Sequence, residues 1–396
     1  METVILGWYV MVSTGSVLVL TAFGSLQYLG TLAAPMFGVL GDRLGGRAML
    51  CAMRASYVCF AAILMLLALT GTLTPAWVLV VAAVMGLIRP NDVVMRNSLI
   101  GETIPRHHLL GALALSRATM DSARVTGALA GAWLSTVLGI GFTYVFVAGF
   151  YVASLGLTFG VTRRSPMPDP GASPGGVSVA GPSRWRDLKD GLVHVVTTPM
   201  LLAMMLLAFL VNLTAYPTSS GLLPYAAQRV YHVDATGFGW LAAGFSFGGL
   251  LASLMTVLTG GPRHSERSTL VGTALWFALL LGFGNVATLK AGILTLLFAG
   301  FVQNVAMIAM TAVLLDAAGA RFRTRVMGVR MLAVYGMPLG LIASGLLIER
   351  IGFAMTISAL SAIGIVFTLL IGIRWRATMW QRTPPSRTAR SVTQRT

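Results

Sequence analysis

Charged residues are scarce in this chain, and acidic residues are the scarcest. Asp, Glu, Lys and Arg together make up 10% of its 396 residues, whereas hydrophobic residues make up 56%. This balance excludes an ordinary soluble domain, which needs a more charged surface. The apolar runs reach about 20 residues or more and lack the alternation of barrel strands. We therefore expect an all-α integral membrane protein.

Cysteine and histidine are also rare, and their positions exclude several chemistries. Cys51 and Cys59 are the two cysteines, and they lie too far apart on one predicted helix to form a disulfide. The five histidines fall in or near loops and do not cluster at metal-ligand spacing. The phosphate-binding pattern G-x-x-x-x-G-K-[ST] is missing. We expect no metal, no cofactor, no use of ATP and no enzymatic activity.

Basic residues are concentrated on one side of the predicted membrane. The net charge is +16, but the arginines are dispersed in short loops, so we expect no nucleic-acid partner. One set of alternate loops carries most of them, whereas the other set carries only Arg229, Lys290 and Arg350. The positive-inside rule places the first set, and the C-terminus with it, in the cytoplasm. We expect the protein to lie in the cell inner membrane.

The hydrophobic pattern predicts eleven spanning helices after a short apolar piece at 1–13. Counted with that short piece as the first, the second to twelfth spans are 17–40, 48–69, 76–100, 110–138, 142–161, 200–227, 237–258, 269–286, 291–317, 326–348 and 353–373. The chain thus divides into an N-terminal transmembrane half at 1–161, a linker at 162–198, a C-terminal transmembrane half at 199–373 and a basic tail at 374–396.

The linker combines a flexible part with a short helix. Residues 162–183 are rich in proline and glycine and cannot form a long helix or strand. Trp185, Leu188, Leu192 and Val195 then recur at helical spacing. This spacing predicts an amphipathic helix on the cytoplasmic membrane face, with a solvated loop helix as the alternative.

A short charged turn separates the spans at 17–40 and 48–69. Its residues Gly38, Asp42, Arg43, Gly45 and Arg47 match the pattern G-x-x-x-D-R-x-G-R-[RK], except that glycine replaces the first arginine of the final pair. This turn resembles the signature loop of the major facilitator superfamily. The resemblance implies two six-helix halves around a central cavity, a gating role for the loop, and secondary transport of a small molecule.

A second resemblance concerns the type of transporter. The residues 325–328, 338–340 and Gly345 resemble the eleventh helix of drug- and siderophore-exporter-like members. They imply a proton-coupled exporter of small amphipathic molecules, acting as a monomer with protons as the coupling ion. An importer of an anionic metabolite is an alternative, since arginines exceed acids within the spans. A non-transporting remnant is another.

The first helix of the family is short in this sequence. About 13 residues precede the turn at 14–16, too few to cross a core of about 30 Å at 1.5 Å per residue. We expect in-frame upstream sequence to supply the rest of the helix, and a genuine truncation is the competing explanation.

Five charged residues form a cluster on the fourth and fifth spans. Arg89 and Asp92 share one helix face, and Arg117, Asp121 and Arg124 share another. Their depths predict that Arg89 pairs with Asp121 and that Asp92 pairs with Arg117. The cluster is a candidate site for proton coupling or substrate binding, or a lattice of ion pairs that only fixes packing.

Two of these residues have further candidate partners. Asp92 has an alternative role that the family resemblance implies, a latch with Arg43 or Arg47 of the signature loop. Arg124 lies too deep to reach water and needs an anion, which is either a carboxylate from elsewhere in the chain, with Glu2 as one candidate, or the substrate itself.

The remaining candidates are less specific. Gly127 and Gly131 resemble a degraded antiporter motif, but they also form an ordinary G-x-x-x-G packing face. Asn212, Gln303 and Asn304 are the polar residues nearest mid-membrane in the second half, and they either line the cavity or bond between helices.

Overall fold

The protein is described here from a computed structural model, which covers residues 1–31, 46–103, 106–160, 184–259, 262 and 264–379. Helices dominate this part of the chain. They are α1 Glu2–Thr14, α2 Val17–Leu26, α3 Gly46–Leu69, α4 Pro75–Thr103, α5 Arg106–Val137, α6 Gly139–Phe159, α7 Arg184–Thr197, α8 Pro199–Thr214, α9 Ala235–Thr259, α10 Ser265–Asn285, α11 Leu289–Ala317, α12 Gly319–Ala333, α13 Gly336–Ile351, α14 Phe353–Arg374 and α15 Arg376–Met379.

Most of these helices suit a bilayer by length and composition. Among the described residues, eight helical stretches are long and apolar enough to cross a membrane. Two shorter apolar helices, Val17–Leu26 and Pro75–Arg89, add to them. Because α4 and α5 have 29 and 32 residues, each exceeds the roughly 30 Å of a hydrocarbon core. The expected all-α membrane fold is confirmed.

Two predicted spans are interrupted, in both cases near a proline. Regular helix ends at Thr214, and π-helical turns at Pro217–Gly221 and Ala226–Val230 continue the seventh span. The eleventh span, expected to be continuous, divides into α12 and α13. Pro338 explains this division, because it has no N–H for the carbonyl of Val334 and its ring crowds that carbonyl.

Three hydrophobic clusters hold the described helices together. One lies in the first half and includes Tyr57, Leu64 and Tyr144. A second lies in the second half around Trp276 and Phe277. The third includes Val17 of α2 together with residues of the second half, and Trp8 packs against it. It lies at the end of the bundle opposite the linker, so the two halves share apolar contacts there.

The linker helix α7 packs against α12. Val195 is buried, the ring of His194 stacks on Phe322 with centroids 4.3 Å apart, and Arg325 lies 3.5 Å from Asp190. Leu192 and its neighbours on the other face remain exposed. This helix therefore joins the linker to the second half, and its apolar outer face suits the membrane surface.

Glycines set the closest helix contact in the second half. A Cβ added to Gly248 on α9 would overlap the carbonyl oxygen of Leu297, and one added to Gly300 on α11 would overlap that of Phe245. The two backbones thus approach each other through reciprocal glycines, the arrangement that small residues allow between membrane helices.

We expect Gly248→Ala to destabilise the protein by about 1–3 kcal/mol, because the added methyl group meets backbone that cannot move aside. Gly282→Ala is the matched control, since no atom lies within 4 Å of its added Cβ. It should be neutral or stabilise by up to about 1 kcal/mol through helix propensity. Unfolding of the purified protein in mixed micelles measures both changes. Equal effects would contradict the close contact.

Candidate functional site

A buried carboxylate lies between three helices of the first half. Glu2 of α1 is only 5% exposed, and its Oε2 atom lies 2.8 Å from Nη2 of Arg89 on α4. The hydroxyl of Tyr151 on α6 donates to the same oxygen at 2.5 Å. Both partners donate to the same carboxyl oxygen, and they join α1, α4 and α6 through one atom.

Arg89 also bonds two further side chains and lines a pocket. Its Nη1 atom donates to Thr3 at 3.0 Å and to Gln27, just after α2, at 3.1 Å. Glu2, Thr3, Gln27 and Arg89 are among the residues that line a narrow pocket. The second carboxyl oxygen of Glu2, Oε1, is buried and has no hydrogen-bond partner in the described part of the chain. One oxygen is thus fixed, and the other has unused acceptor capacity beside a pocket.

The predicted pairing of Arg89 with Asp121 is wrong, because Glu2 occupies the guanidinium of Arg89 instead. The short helix α1 packs against both α4 and α5. This packing places the Glu2 carboxylate beside Arg89. For the same reason Glu2 is not the partner of Arg124. Glu2 can be recognised in the sequence as a carboxylate at the start of an apolar segment, whereas no sequence pattern marks Tyr151.

Asp121 turns towards the second half. The hydroxyl of Ser253 on α9 donates to its Oδ2 atom at 3.1 Å, and the amide of Asn304 on α11 donates to Ser253 Oγ at 2.7 Å. Asn304 also donates to the carbonyl of Gly249 at 2.5 Å. Asp121 and Asn304 were both predicted candidates, and the structure connects them through Ser253 across the boundary between the halves.

Asp92 pairs with an arginine on the third helix. Nη2 of Arg54 lies 3.1 Å from both oxygens of this carboxylate. Arg54 follows Arg47 by about two helical turns. Gly38, Asp42, Arg43 and Gly45 lie outside the described residues, Arg47 lies in the first turn of α3, and Arg117 is described only as part of α5. The latch with the signature loop and the Asp92–Arg117 pair therefore stay predictions.

Arg124 and three polar side chains, Tyr28, Tyr216 and Gln303, lie near the boundary between the halves. Arg124 is 63% exposed, and its ion pair is a long one, 3.9 Å to Asp121 Oδ1. Tyr28, which follows α2, lies within electrostatic range of Arg124, Arg89 and Tyr216. Tyr216, which follows α8, accepts a 2.7 Å hydrogen bond from Gln303 on α11. Among these, Gln303 was a predicted cavity residue and the tyrosines were missed.

The other predicted residues have local contacts. Asn212 donates to the carbonyl of Ala208 on its own helix at 2.8 Å. Gly127 and Gly131 face Met1, where an added Cβ would lie 3.0 Å and 2.9 Å from the nearest atom. These contacts give Asn212 a local structural bond and place both glycines where α5 meets the start of α1.

We expect Arg89→Ala to destabilise the protein by about 2 kcal/mol, because it leaves the buried Glu2 carboxylate without its cation. This is below the 3–5 kcal/mol typical of fully buried pairs because Arg89 is 36% exposed. The double variant Glu2→Ala, Arg89→Ala should recover part of the loss. Lys290→Ala, at an exposed position, is the control. Unfolding in mixed micelles gives the three values, and a double variant no more stable than Arg89→Ala would contradict the pair.

Comparison with known proteins supports the fold at the level of the whole chain. The crystal structure of the human organic anion transporter MFSD10 (TETRAN) matches with a TM-score of 0.63 and 16% identity, over 90% of this chain and 83% of that chain. The crystal structure of the nucleoside transporter NupG matches with a TM-score of 0.64 and 14% identity, over 96% and 95% of the two chains. At these identities the likeness shows the fold alone.

Sequence comparison identifies the family. A search among curated proteins gave no significant match. The sequence profile described as Major Facilitator Superfamily, however, matches residues 3–261 and, in a second match, residues 205–395. The two matches together cover nearly the whole chain and both of its halves. The chain therefore belongs to the major facilitator superfamily of membrane transporters.

Proposed function

We propose that this transporter is a proton-coupled exporter of small amphipathic molecules. The observation that carries the proposal is the buried Glu2 carboxyl group, which is held by Arg89 and Tyr151 and has one oxygen beside a pocket. Ionisable groups inside a membrane bundle are costly, and they mark ion or substrate pathways. The protein acts as a monomer in the cell membrane, with its linker and C-terminus in the cytoplasm.

Glu2 and Asp121 are the two proposed proton carriers. Each is buried, each has an arginine close by, and each accepts a hydrogen bond from a hydroxyl group. In the proposed cycle, each carboxylate pairs with its arginine in one conformation and carries a proton in another, in which the pair is separated. Asp121 adjoins the second half, so relative motion of the halves changes its surroundings directly.

The contacts between the halves support an alternating-access cycle. At the end opposite the linker, an added Cβ on Gly345 of α13 would lie 2.5 Å from Thr21 of α2. Ser25 donates to the carbonyl of Pro338 at 3.1 Å, and Arg229 donates to that of Gly15 at 3.3 Å. These bonds close the bundle at the end that the charge distribution assigns to the outside, leaving the cavity to face the cytoplasm.

The direction of transport distinguishes the proposal from its main alternative. An importer of an anionic metabolite would use the same cavity, and the exposed Arg124 favours a negatively charged substrate. Export by proton antiport requires that a proton and the substrate move in opposite directions. The orientation of the coupling can therefore be measured without knowing the natural substrate.

Reconstituted protein should accumulate an amphipathic probe when the liposome interior is acidic, because protons leave as the probe enters. The probes are naphthalenesulfonate and naphthylmethyl-trimethylammonium, which keep their charge and cross lipid slowly. Fluorescence follows uptake, with protein-free liposomes and a protonophore as controls. Faster uptake with an alkaline interior would indicate proton symport, and no uptake of either probe in either gradient would contradict the proposal.

Asp121→Asn and Glu2→Gln should each reduce gradient-driven uptake by about tenfold or more while the protein still unfolds cooperatively, since an amide keeps the shape but cannot carry the proton. Asp316→Asn is the matched control, because this acid is exposed at the linker-facing end of α11. A variant that retains the parent rate in the same gradient would exclude its carboxylate as a carrier.

A further inference from the structure

The guanidinium of Arg124 is placed within the membrane core and is poorly satisfied there. It lies 18 residues from Arg106 and 13 from Val137 on α5, so it is about 27 Å and about 20 Å from the two ends of the helix. Its side chain cannot reach either membrane surface. It is nevertheless 63% exposed, and exposure to lipid at this depth would be costly for a charge. The exposed surface therefore belongs to the cavity.

Its protein partner does not neutralise it fully. The nearest carboxylate, Asp121, is 3.9 Å away, which is beyond hydrogen-bond distance. Asp121 also lies within one helical turn of two arginines, Arg117 four residues before it and Arg124 three residues after it. The neighbouring acids Glu2 and Asp92 are paired with Arg89 and Arg54. Among the described residues, the positive charge of Arg124 thus has only this one distant carboxylate as its partner.

The side chains around Arg124 suit an anion. Tyr28 lies within electrostatic range of Arg124, and its hydroxyl group has no hydrogen-bond partner among the described residues. On the second half, Gln303 is bonded to Tyr216, and the Tyr216 ring contacts buried Trp276 edge-on at 5.0 Å. Arg124 and Tyr28 provide donors from one half, while fixed polar and aromatic groups face them from the other.

We propose that this transporter recognises the acidic group of an amphipathic organic anion, with Arg124 as its charge partner and Tyr28 as a hydrogen-bond donor. The inference rests on the proposed function, because it names the substrate class that the same cavity carries. A carboxylate, sulfonate or phosphate group placed against Arg124 supplies the missing negative charge. The apolar part of the molecule then lies towards Tyr216 and the second half.

Binding to the full-length protein in nanodiscs tests this assignment without any transport. The probes are naphthalenesulfonate, its neutral isostere naphthalenesulfonamide, and naphthylmethyl-trimethylammonium. Ligand-induced thermal stabilisation gives an apparent Kd for each. The sulfonate should bind at least about tenfold more tightly than the sulfonamide, the factor expected for one charge-assisted contact. The cation should bind more weakly than the sulfonamide.

Variants assign the preference to the named residues. Arg124→Gln should bring the sulfonate and the sulfonamide to within about twofold of each other, and Tyr28→Phe should weaken sulfonate binding by about fivefold while leaving the sulfonamide unchanged. Arg350→Gln, at the exposed end of α13, is the matched control and should keep the parent preference. Tyr28→Phe removes only a hydroxyl group, so it keeps the test valid if Arg124→Gln fails to fold.

Two results would overturn the assignment. One is similar affinity of the parent protein for sulfonate and sulfonamide, including the case in which no sulfonate binding is detected. The other is an unchanged sulfonate preference in both variants. Proteoliposome flux separates this failure from failure of the proposed function. Gradient-driven uptake of the cation alone would contradict the anion site only, whereas tight sulfonate binding without flux would contradict the transport proposal only.

Discussion

The placement of charge inside the bundle depends on the cost of leaving a cation unpaired in a medium of low dielectric constant. Three neighbouring helices each carry an arginine that pairs with an acidic residue. The pairs are Arg89 with Glu2, Arg54 with Asp92, and Arg124 with Asp121. An unpaired buried charge costs several kcal/mol, so these pairings restrict how the helices of the first half can be arranged. Only Arg124 combines a long ion pair with a largely exposed side chain, and it is the one that points to a ligand.

Much of the fold could be predicted from the sequence, because long hydrophobic runs identify membrane helices. The interruptions were harder to place. Pro217 begins the π-helical turn that interrupts the span at 200–227 after Thr214. Pro338 divides the eleventh span as well, but its effect depends on whether neighbouring helices re-satisfy the freed carbonyl. Whether they do depends on how the helices pack in the tertiary structure.

The candidate site was predicted less completely, for a related reason. Helical spacing placed Arg89, Asp92, Asp121 and Arg124 on the correct helices, but depth alone could not choose between possible partners. Residues from distant parts of the chain decided the outcome: Glu2 with Arg89, and Ser253 with Asp121. Tyrosine and serine are common in apolar helices and carry no distinctive spacing. Their roles became visible only when the helices were packed.

The chain of donors from Asn304 through Ser253 to Asp121 gives the proposed proton coupling a physical basis. An ionised Asp121 can only accept, so Ser253 donates to it and in turn accepts from Asn304. The bond to the carboxylate is charge-assisted and joins the two halves. Protonation of Asp121 removes that charge and weakens the bond by about half. In the proposed cycle, a proton on Asp121 therefore loosens the same boundary that must move for substrate to leave.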